Sequence, residues 1–213
     1  MGLKIQLKKR IPVAAGLGGG SSDAAATLQG LQILSGGLLP KERLMEIARG
    51  LGADVAFFLA ESPWAIGTEK GDRIKPISLN SRLWHLLVYP EFPVPTQSVY
   101  GALQAPLEPK PRLTGLEPDV TLLVEALRND QQVLKIRDLL FNALEPTVEA
   151  LYPALRQVKD TIQTKAGIPR PLVSGSGSTV MAVCGSREES ERAATIVRRE
   201  APDWRVFVVS TRS

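Results

Sequence analysis

Four glycines, at 16, 18, 19 and 20, stand close together in the run Pro12-Val13-Ala14-Ala15-Gly16-Leu17-Gly18-Gly19-Gly20-Ser21-Ser22-Asp23. Glycine lets backbone N–H groups reach an anion with no side chain in the way. The apolar-periodic segment that follows predicts a helix, whose unsatisfied N–H groups and positive dipole end favour the same ligand. Each charge-assisted hydrogen bond to an anion contributes about 1.5–3 kcal/mol. The ligand that fits is a polyphosphate. The run is not a Walker loop, because no Gly-Lys-Ser/Thr follows. It is not a dinucleotide fingerprint either, because the third glycine would fall at Ser21. The bland alternative, a flexible Gly/Ser linker, fits poorly between two ordered elements with no break in the apolar pattern.

Asp54 follows Gly52-Ala53 and precedes a short apolar segment. A carboxylate held there can take or orient a hydroxyl proton. The same position suits a helix N-cap. Gly175, Ser176 and Gly177, inside Ser174-Gly175-Ser176-Gly177-Ser178, separate two predicted strands. They read either as a hairpin loop or as a wall closing on a ligand. His85 reads as a strand residue, Cys184 as a small buried apolar residue, and Lys8-Lys9-Arg10 as a solvated strand end.

Leu3, Ile5 and Leu7 alternate with Lys4, Gln6 and Lys8, which predicts a half-buried strand. It needs sheet partners that the following residues scarcely offer. A helix then opens around Ala24-Ala25-Ala26, with Leu28, Leu31 and Leu34 on one face. Ser21, Ser22 or Asp23 is expected to cap it, and Gly36-Gly37 to end it. A second helix runs from about Pro40 to Leu51. A short apolar turn, Ala53–Leu59, follows it, then weak strands near Trp64–Ile66 and Ile74–Ile77. Leu83–Tyr89 is a continuous apolar run, hence a buried strand. Pro90–Pro118 reads as proline-rich loop with a short helix around Ser98–Leu103. Helices are expected over Asp119–Arg128, Gln131–Leu144 and Pro146–Ala166, the last kinked at Pro153. Strands at Leu172-Val173, Thr179–Cys184 and Arg205–Val209, with a helix over Glu188–Glu200, complete the order of a ferredoxin-like unit. A boundary near residue 80 therefore separates residues 1–80 from 81–213.

Composition narrows the classes. Of 213 residues, 44% are hydrophobic and 23% charged, and 26 Lys+Arg against 22 Asp+Glu leave a net charge of +4. These are globular values. The basic residues are scattered, so no nucleic-acid face is expected. A single Cys and a single His exclude an internal disulfide framework and Cys- or His-pair metal motifs. No apolar run approaches the ~18 residues of a membrane span. The start lacks a signal-peptide core and the Ser or Thr of a myristoylation signal, so a cytoplasmic protein is expected.

Together these residues resemble the GHMP small-molecule kinases, most closely the branch that acts on a diphosphocytidyl sugar alcohol. Pro12–Ala25 is similar to the family's second motif. Gly52-Ala53-Asp54-Val55 resembles the Gly-Ala-Asp-Val segment whose aspartate is the catalytic base. Pro95-Thr96-Gln97-Ser98-Val99-Tyr100 resembles a segment ending in Thr-x-x-x-Tyr, and Asn142-Ala143-Leu144-Glu145 the family's Asn-Asp-Leu-Glu. Ser174–Ser178 resembles the glycine-rich third motif. Ala56 replaces the usual Pro, and Ala143 the usual Asp.

The resemblance implies an α+β protein with the GHMP kinase fold: an incomplete ribosomal-protein-S5-like N-terminal domain (1–80) and a ferredoxin-like C-terminal domain (81–213). It implies phosphoryl transfer from ATP, assisted by Mg²⁺, to the 2-hydroxyl of the diphosphocytidyl substrate. The loop Pro12, Val13, Ala14, Ala15, Gly16, Leu17, Gly18, Gly19, Gly20, Ser21 and Ser22 would hold the triphosphate. Asp54 would be the base, Ser22 a metal ligand, and Thr96, Gly175, Ser176 and Gly177 the acceptor side. The family's first motif, Pro-Ala-Lys-x-Asn, carries a second catalytic residue and lies ahead of the strand at Leu3. No residues here match it, so the chain is expected to correspond to the larger, C-terminal part of such a kinase, with an N-terminal segment missing. Two alternatives stay open: a nucleotide-binding fragment without catalysis, and another GHMP kinase.

Overall fold

A computed structural model describes residues 2–79, 81–104, 120–129 and 133–211. The first helix, α1 (Gly19–Leu34), starts earlier than the sequence suggests. Its N-cap is Gly18, in the left-handed region at φ 62°, with no side-chain cap. Ser21, Ser22 and Asp23 therefore lie inside the helix rather than capping it. The glycine turns the chain into the helix sooner than a β-region Ser or Asp would. At the other end Gly37 N–H donates to Gln32 O at 2.8 Å, and both Gly36 and Gly37 are left-handed. This is a glycine stop of the expected kind.

α2 (Lys41–Leu51) and α3 (Ala53–Leu59) share Gly52, which ends one and caps the other. Asp54 is thus in the first turn of α3, not at its N-cap. Ala25, Ala48, Val55, Ala56 and Leu59 form a small core among the three helices, with Leu28, Phe58 and Ile74 packed on it. Small residues at the contacts let the helices approach closely. β1 (Ala65–Thr68) and β2 (Arg73–Pro76) make an antiparallel hairpin beside them.

The expected half-buried strand at Leu3–Leu7 is not formed. The segment has no regular secondary structure, and among the described residues no strand pairs with it. Leu3, Ile5 and Leu7 are 54%, 65% and 61% exposed. Alternation favours a strand only when a neighbour supplies hydrogen bonds and a face to bury.

The larger sheet is antiparallel, in the order β4-β5-β3-β6. β3 (Trp84–Tyr89) lies between β5 (Val180–Cys184) and β6 (Arg205–Ser210), and β4 (Leu172–Val173) extends β5. That is the strand order of a ferredoxin-like sheet, as expected. Leu86 and Val88 point into a core built with Val148, Leu155, Val158 and Ile162 of the connecting helices and Ala193, Ala194 and Val197 of α9 (Arg187–Glu200). α9 is capped by Ser186, whose hydroxyl accepts from Glu189 N–H at 3.1 Å.

Between β3 and β4 run α4 (Thr96–Gln104), α5 (Val120–Arg128), α6 (Val133–Leu139), α7 (Glu145–Leu151) and α8 (Ala154–Asp160). The helix expected over Gln131–Leu144 stops at Leu139, because Asn142 turns the chain, its side chain accepting from Leu144 N–H at 3.0 Å. The long helix expected over Pro146–Ala166 is split at Tyr152-Pro153, as the missing proline N–H demands, and ends in a π-helical turn at Thr161–Lys165. The remainder of the proline-rich stretch, 105–119, and the expected helix starts at Asp119 and Gln131 lie outside the described residues.

Candidate active site

The glycine run and the second glycine loop form one structure. Thr179 N–H donates to Ala15 O at 3.1 Å, and the Ser174 hydroxyl donates to Gly16 O at 2.9 Å. Val94 N–H donates to Ala14 O at 2.9 Å. These bonds leave the run open on one side, over a cavity of about 460 Å³. Its walls are Pro12–Ser21, Asp54, Thr96, Tyr100, Leu144, Gly175 and Ser176, with Lys9 at the edge.

The loop's conformation follows from its glycines. Gly16 and Gly18 have φ of 72° and 62°, a region that L-residues with side chains seldom adopt. At the exit, the start of α1 leaves the N–H groups of Gly19, Gly20 and Ser21 without intrahelical partners. The first helical bond is Ser22 N–H to Gly18 O at 2.9 Å. A helix start lined by glycine and facing a cavity is suited to an anion. Gly20 carries the point furthest, since a methyl group there would meet nothing within 4 Å.

The other expected residues fall out as follows. Asp54, in the first turn of α3, lines the cavity that Gly175 and Ser176 of the second loop also line. Thr96 opens α4, and its hydroxyl is 2.9 Å from that of Ser176. Gly175 and Ser176 line the cavity. Gly177 does not: a methyl group on it would meet Val148 and Val173 at 3.2 and 3.3 Å, so it turns its back to the core. Ser22 does not line the cavity either, its hydroxyl donating back to Gly19 O at 2.9 Å.

Lys9, read as a solvated strand end, instead forms an ion pair with Asp23 and borders the cavity. Tyr100 and Leu144 also line it. Nothing local in the sequence marks Lys9, since its partner is fourteen residues away across the glycine run. His85 and Cys184 stay outside the site. Burial pulls the His85 imidazole below its ordinary 6.5, against the opposing effect of a hydrogen bond to the Leu83 backbone. Burial pushes the Cys184 thiol up, which keeps it protonated and unreactive.

A glycine-lined helix start, a second glycine loop hydrogen-bonded to the run that leads into it and a carboxylate at the shared cavity make the arrangement expected of a small-molecule kinase. Comparison with known proteins gives the same class. Residues 1–62 match the GHMP kinases N terminal domain, and residues 118–203 match GHMP kinases C terminal. The 4-diphosphocytidyl-2-C-methyl-D-erythritol kinase of Citrifermentans bemidjiense is 38% identical over 211 residues, covering 99% of this chain and 70% of the relative. That of Exiguobacterium sibiricum is 39% identical over 191 residues, covering 90% of this chain and 63% of the relative. A crystal structure of 4-(cytidine 5'-diphospho)-2C-methyl-D-erythritol kinase superposes with a TM-score of 0.75 at 33% identity, covering 95% of this chain and 68% of that one. Homoserine kinase from Cytophaga hutchinsonii shares the fold, with a TM-score of 0.67 at 18% identity, covering 96% of this chain and 68% of that one. The chain belongs to the GHMP kinases and, within them, to the 4-diphosphocytidyl-2-C-methyl-D-erythritol kinase family. It spans 63–70% of the length of these two curated relatives.

Proposed function

We propose that this chain carries the ATP site and the catalytic base of a kinase that phosphorylates the 2-hydroxyl of 4-diphosphocytidyl-2-C-methyl-D-erythritol, in non-mevalonate isoprenoid precursor biosynthesis. The products would be ADP and the 2-phosphate ester. The supporting observation is the joined pair of glycine loops over a cavity that Asp54 also faces. In this reading residues 1–80 contribute the nucleotide side and 81–213 the C-terminal domain. The run Pro12–Ser22 wraps the triphosphate, which the unpaired N–H groups of Gly19, Gly20 and Ser21 at the helix start hold, and Asp54 takes the hydroxyl proton as the acceptor oxygen attacks the γ-phosphorus. Thr96, Gly175, Ser176 and Gly177 serve the acceptor side, the first three at the cavity and Gly177 by shaping the loop. Catalysis of this type is chiefly positioning and charge stabilisation.

Mg²⁺ belongs to the same proposal. Among the described residues no group of three His, Cys, Asp or Glu side chains gathers to hold a metal. That fits an ion held mainly by phosphate oxygens and water. The Ser22 hydroxyl, which donates to Gly19 O and stands outside the cavity lining, would have to turn away from that bond to reach such an ion. When bound, the ion would neutralise charge on the phosphates. No described helix is long and apolar enough to cross a membrane, and we expect the kinase to work in the cytoplasm, where ATP is available.

A second reading rests on a separate observation. Leu3, Leu7, Leu31 and Leu34 line an open, largely apolar cleft of about 330 Å³ beside α1. Apolar surface left open in this way favours a covering partner. The chain would then bind nucleotide but turn over only when an N-terminal polypeptide segment covers that face and brings the family's first motif. Calorimetry with ATP and phosphorus NMR of the diphosphocytidyl substrate separate the two readings. Binding with transfer supports the first and sinks the second; binding without transfer supports the second; no binding sinks both. In an active form, Asp54→Asn should lower turnover about 10²–10⁴-fold, the usual share of a general base, while ATP affinity stays within about twofold.

A further inference from the structure

The segment Asn142-Ala143-Leu144-Glu145 has only Leu144 at the cavity wall, and the proposed chemistry uses none of its polar groups. Their bonds nevertheless converge on the second glycine loop. Asn142 Nδ2 donates to Val173 O at 2.7 Å and to Gly175 O at 2.8 Å. Its Oδ1 accepts from Leu144 N–H. Three residues on, Glu145 Oε1 accepts from Val173 N–H at 2.8 Å and from Lys159 Nζ at 2.9 Å. The carboxamide thus holds two carbonyls on either side of Ser174, the residue whose hydroxyl bonds Gly16 O. Only an amide side chain offers two donors and an acceptor in this arrangement. Ala143, between the two polar residues, is exposed, which explains why its departure from the family's Asp leaves this arrangement intact.

We propose that Asn142 is a positioning residue for phosphoryl transfer: through Val173 O and Gly175 O it fixes the second glycine loop, and so the distance between that loop and the phosphate-binding run. This rests on the kinase reading of the cavity. Glu145, braced by Lys159, anchors the base of the same loop from the N–H side. Asn142 touches neither nucleotide nor acceptor in this arrangement. Its effect travels through Ser174 to Gly16 and through Gly175 to the cavity wall.

The test uses Asn142→Ala and Asn142→Asp in the full 213-residue chain, with two independent measurements. Asp preserves size and the bond from Leu144 N–H but sets a carboxylate against two carbonyl oxygens. Hydrogen exchange comes first, because it does not depend on any ligand. Ser174 N–H and Gly177 N–H, which close the loop onto Thr179 O and Ser174 O, should exchange at least about tenfold faster in both variants. Amides of β3 and β6 should be unchanged. Calorimetry comes second: ATP affinity should fall about tenfold in both variants, while AMP, which presents one phosphate, should change less than about twofold. Unchanged loop exchange overturns the proposal. So does an equal loss of ATP and AMP affinity with faster exchange throughout the sheet, which marks a merely structural residue. Failure of the parent chain to bind ATP sinks the kinase reading instead, and the exchange result still decides whether Asn142 fixes the loop.

Discussion

A methyl group on Gly16 would lie 2.0 Å from the carbonyl oxygen of Ser174. The two backbones are in direct contact, 158 residues apart in the chain, and the Ser174 hydroxyl closes the contact on Gly16 O. Gly16 is therefore required twice, for its φ of 72° and for the absence of a side chain. The glycine run takes its shape from the second loop as much as from its own glycines.

Gly16→Ala should consequently act on both loops. The added carbon forces the backbones apart and is strained at positive φ, a combination that costs on the order of 1–3 kcal/mol. The expected outcome is a lower melting temperature together with a loss of ATP binding, read by calorimetry and a thermal scan. Normal ATP affinity in this variant would show that the contact does not shape the site.

Blocking the anion site without disturbing the fold calls for Gly20 rather than Gly19. A side chain on Gly19 meets Ile11 at 2.9 Å, whereas one on Gly20 meets nothing within 4 Å. Gly20→Val should abolish ATP binding and leave the unliganded melting temperature nearly unchanged, because valine tolerates a helix slightly better than glycine. Gly19→Val should lower both. Unimpaired ATP binding by Gly20→Val would remove the helix start from the phosphate site.

Protection against hydrogen exchange should divide the molecule. Val180–Val183 pairs with β3, and Val180 and Ala182 lie in the larger core. Leu3, Ile5 and Leu7 are exposed, and the segment pairs with no strand among the described residues. Slow exchange is expected in the first and fast exchange in the second. Equal protection would mean that the Leu3–Leu7 alternation is satisfied by a contact in solution, such as pairing between copies.

The half-buried His85 sets a pH dependence. Burial lowers its folded pKa beneath the ordinary 6.5, so below that pH the unfolded chain binds more protons than the folded one. Its contribution to stability is full above about pH 6.5 and is lost as the pH falls towards the folded value. The melting temperature of the parent should therefore drop between pH 7 and pH 5 more steeply than that of His85→Gln. Parallel curves would show that this imidazole titrates alike in both states.

Much of the site is written locally. The glycine spacing at 16, 18, 19 and 20, the carboxylate after Gly52 and the Ser-Gly alternation at 174–178 each predict a backbone conformation, because glycine and helix-start geometry act over a few residues. The four strands of the larger sheet and α9 follow from apolar periodicity for the same reason, whereas the breaks at Leu139 and at Tyr152-Pro153 interrupt helices that periodicity alone would continue. The strand expected at Leu3–Leu7 did not, because a strand is completed by its neighbour. Nor does local pattern show that Lys9 meets Asp23, or that Asn142 holds Val173 O and Gly175 O. The tertiary structure alone decided that the two glycine loops are one site: hydrogen bonds between Ala15 and Thr179 and between Gly16 and Ser174 join segments with no common periodicity. They depend on the larger sheet, since the pairing of β4 with β5 sets the ends of the loop between them.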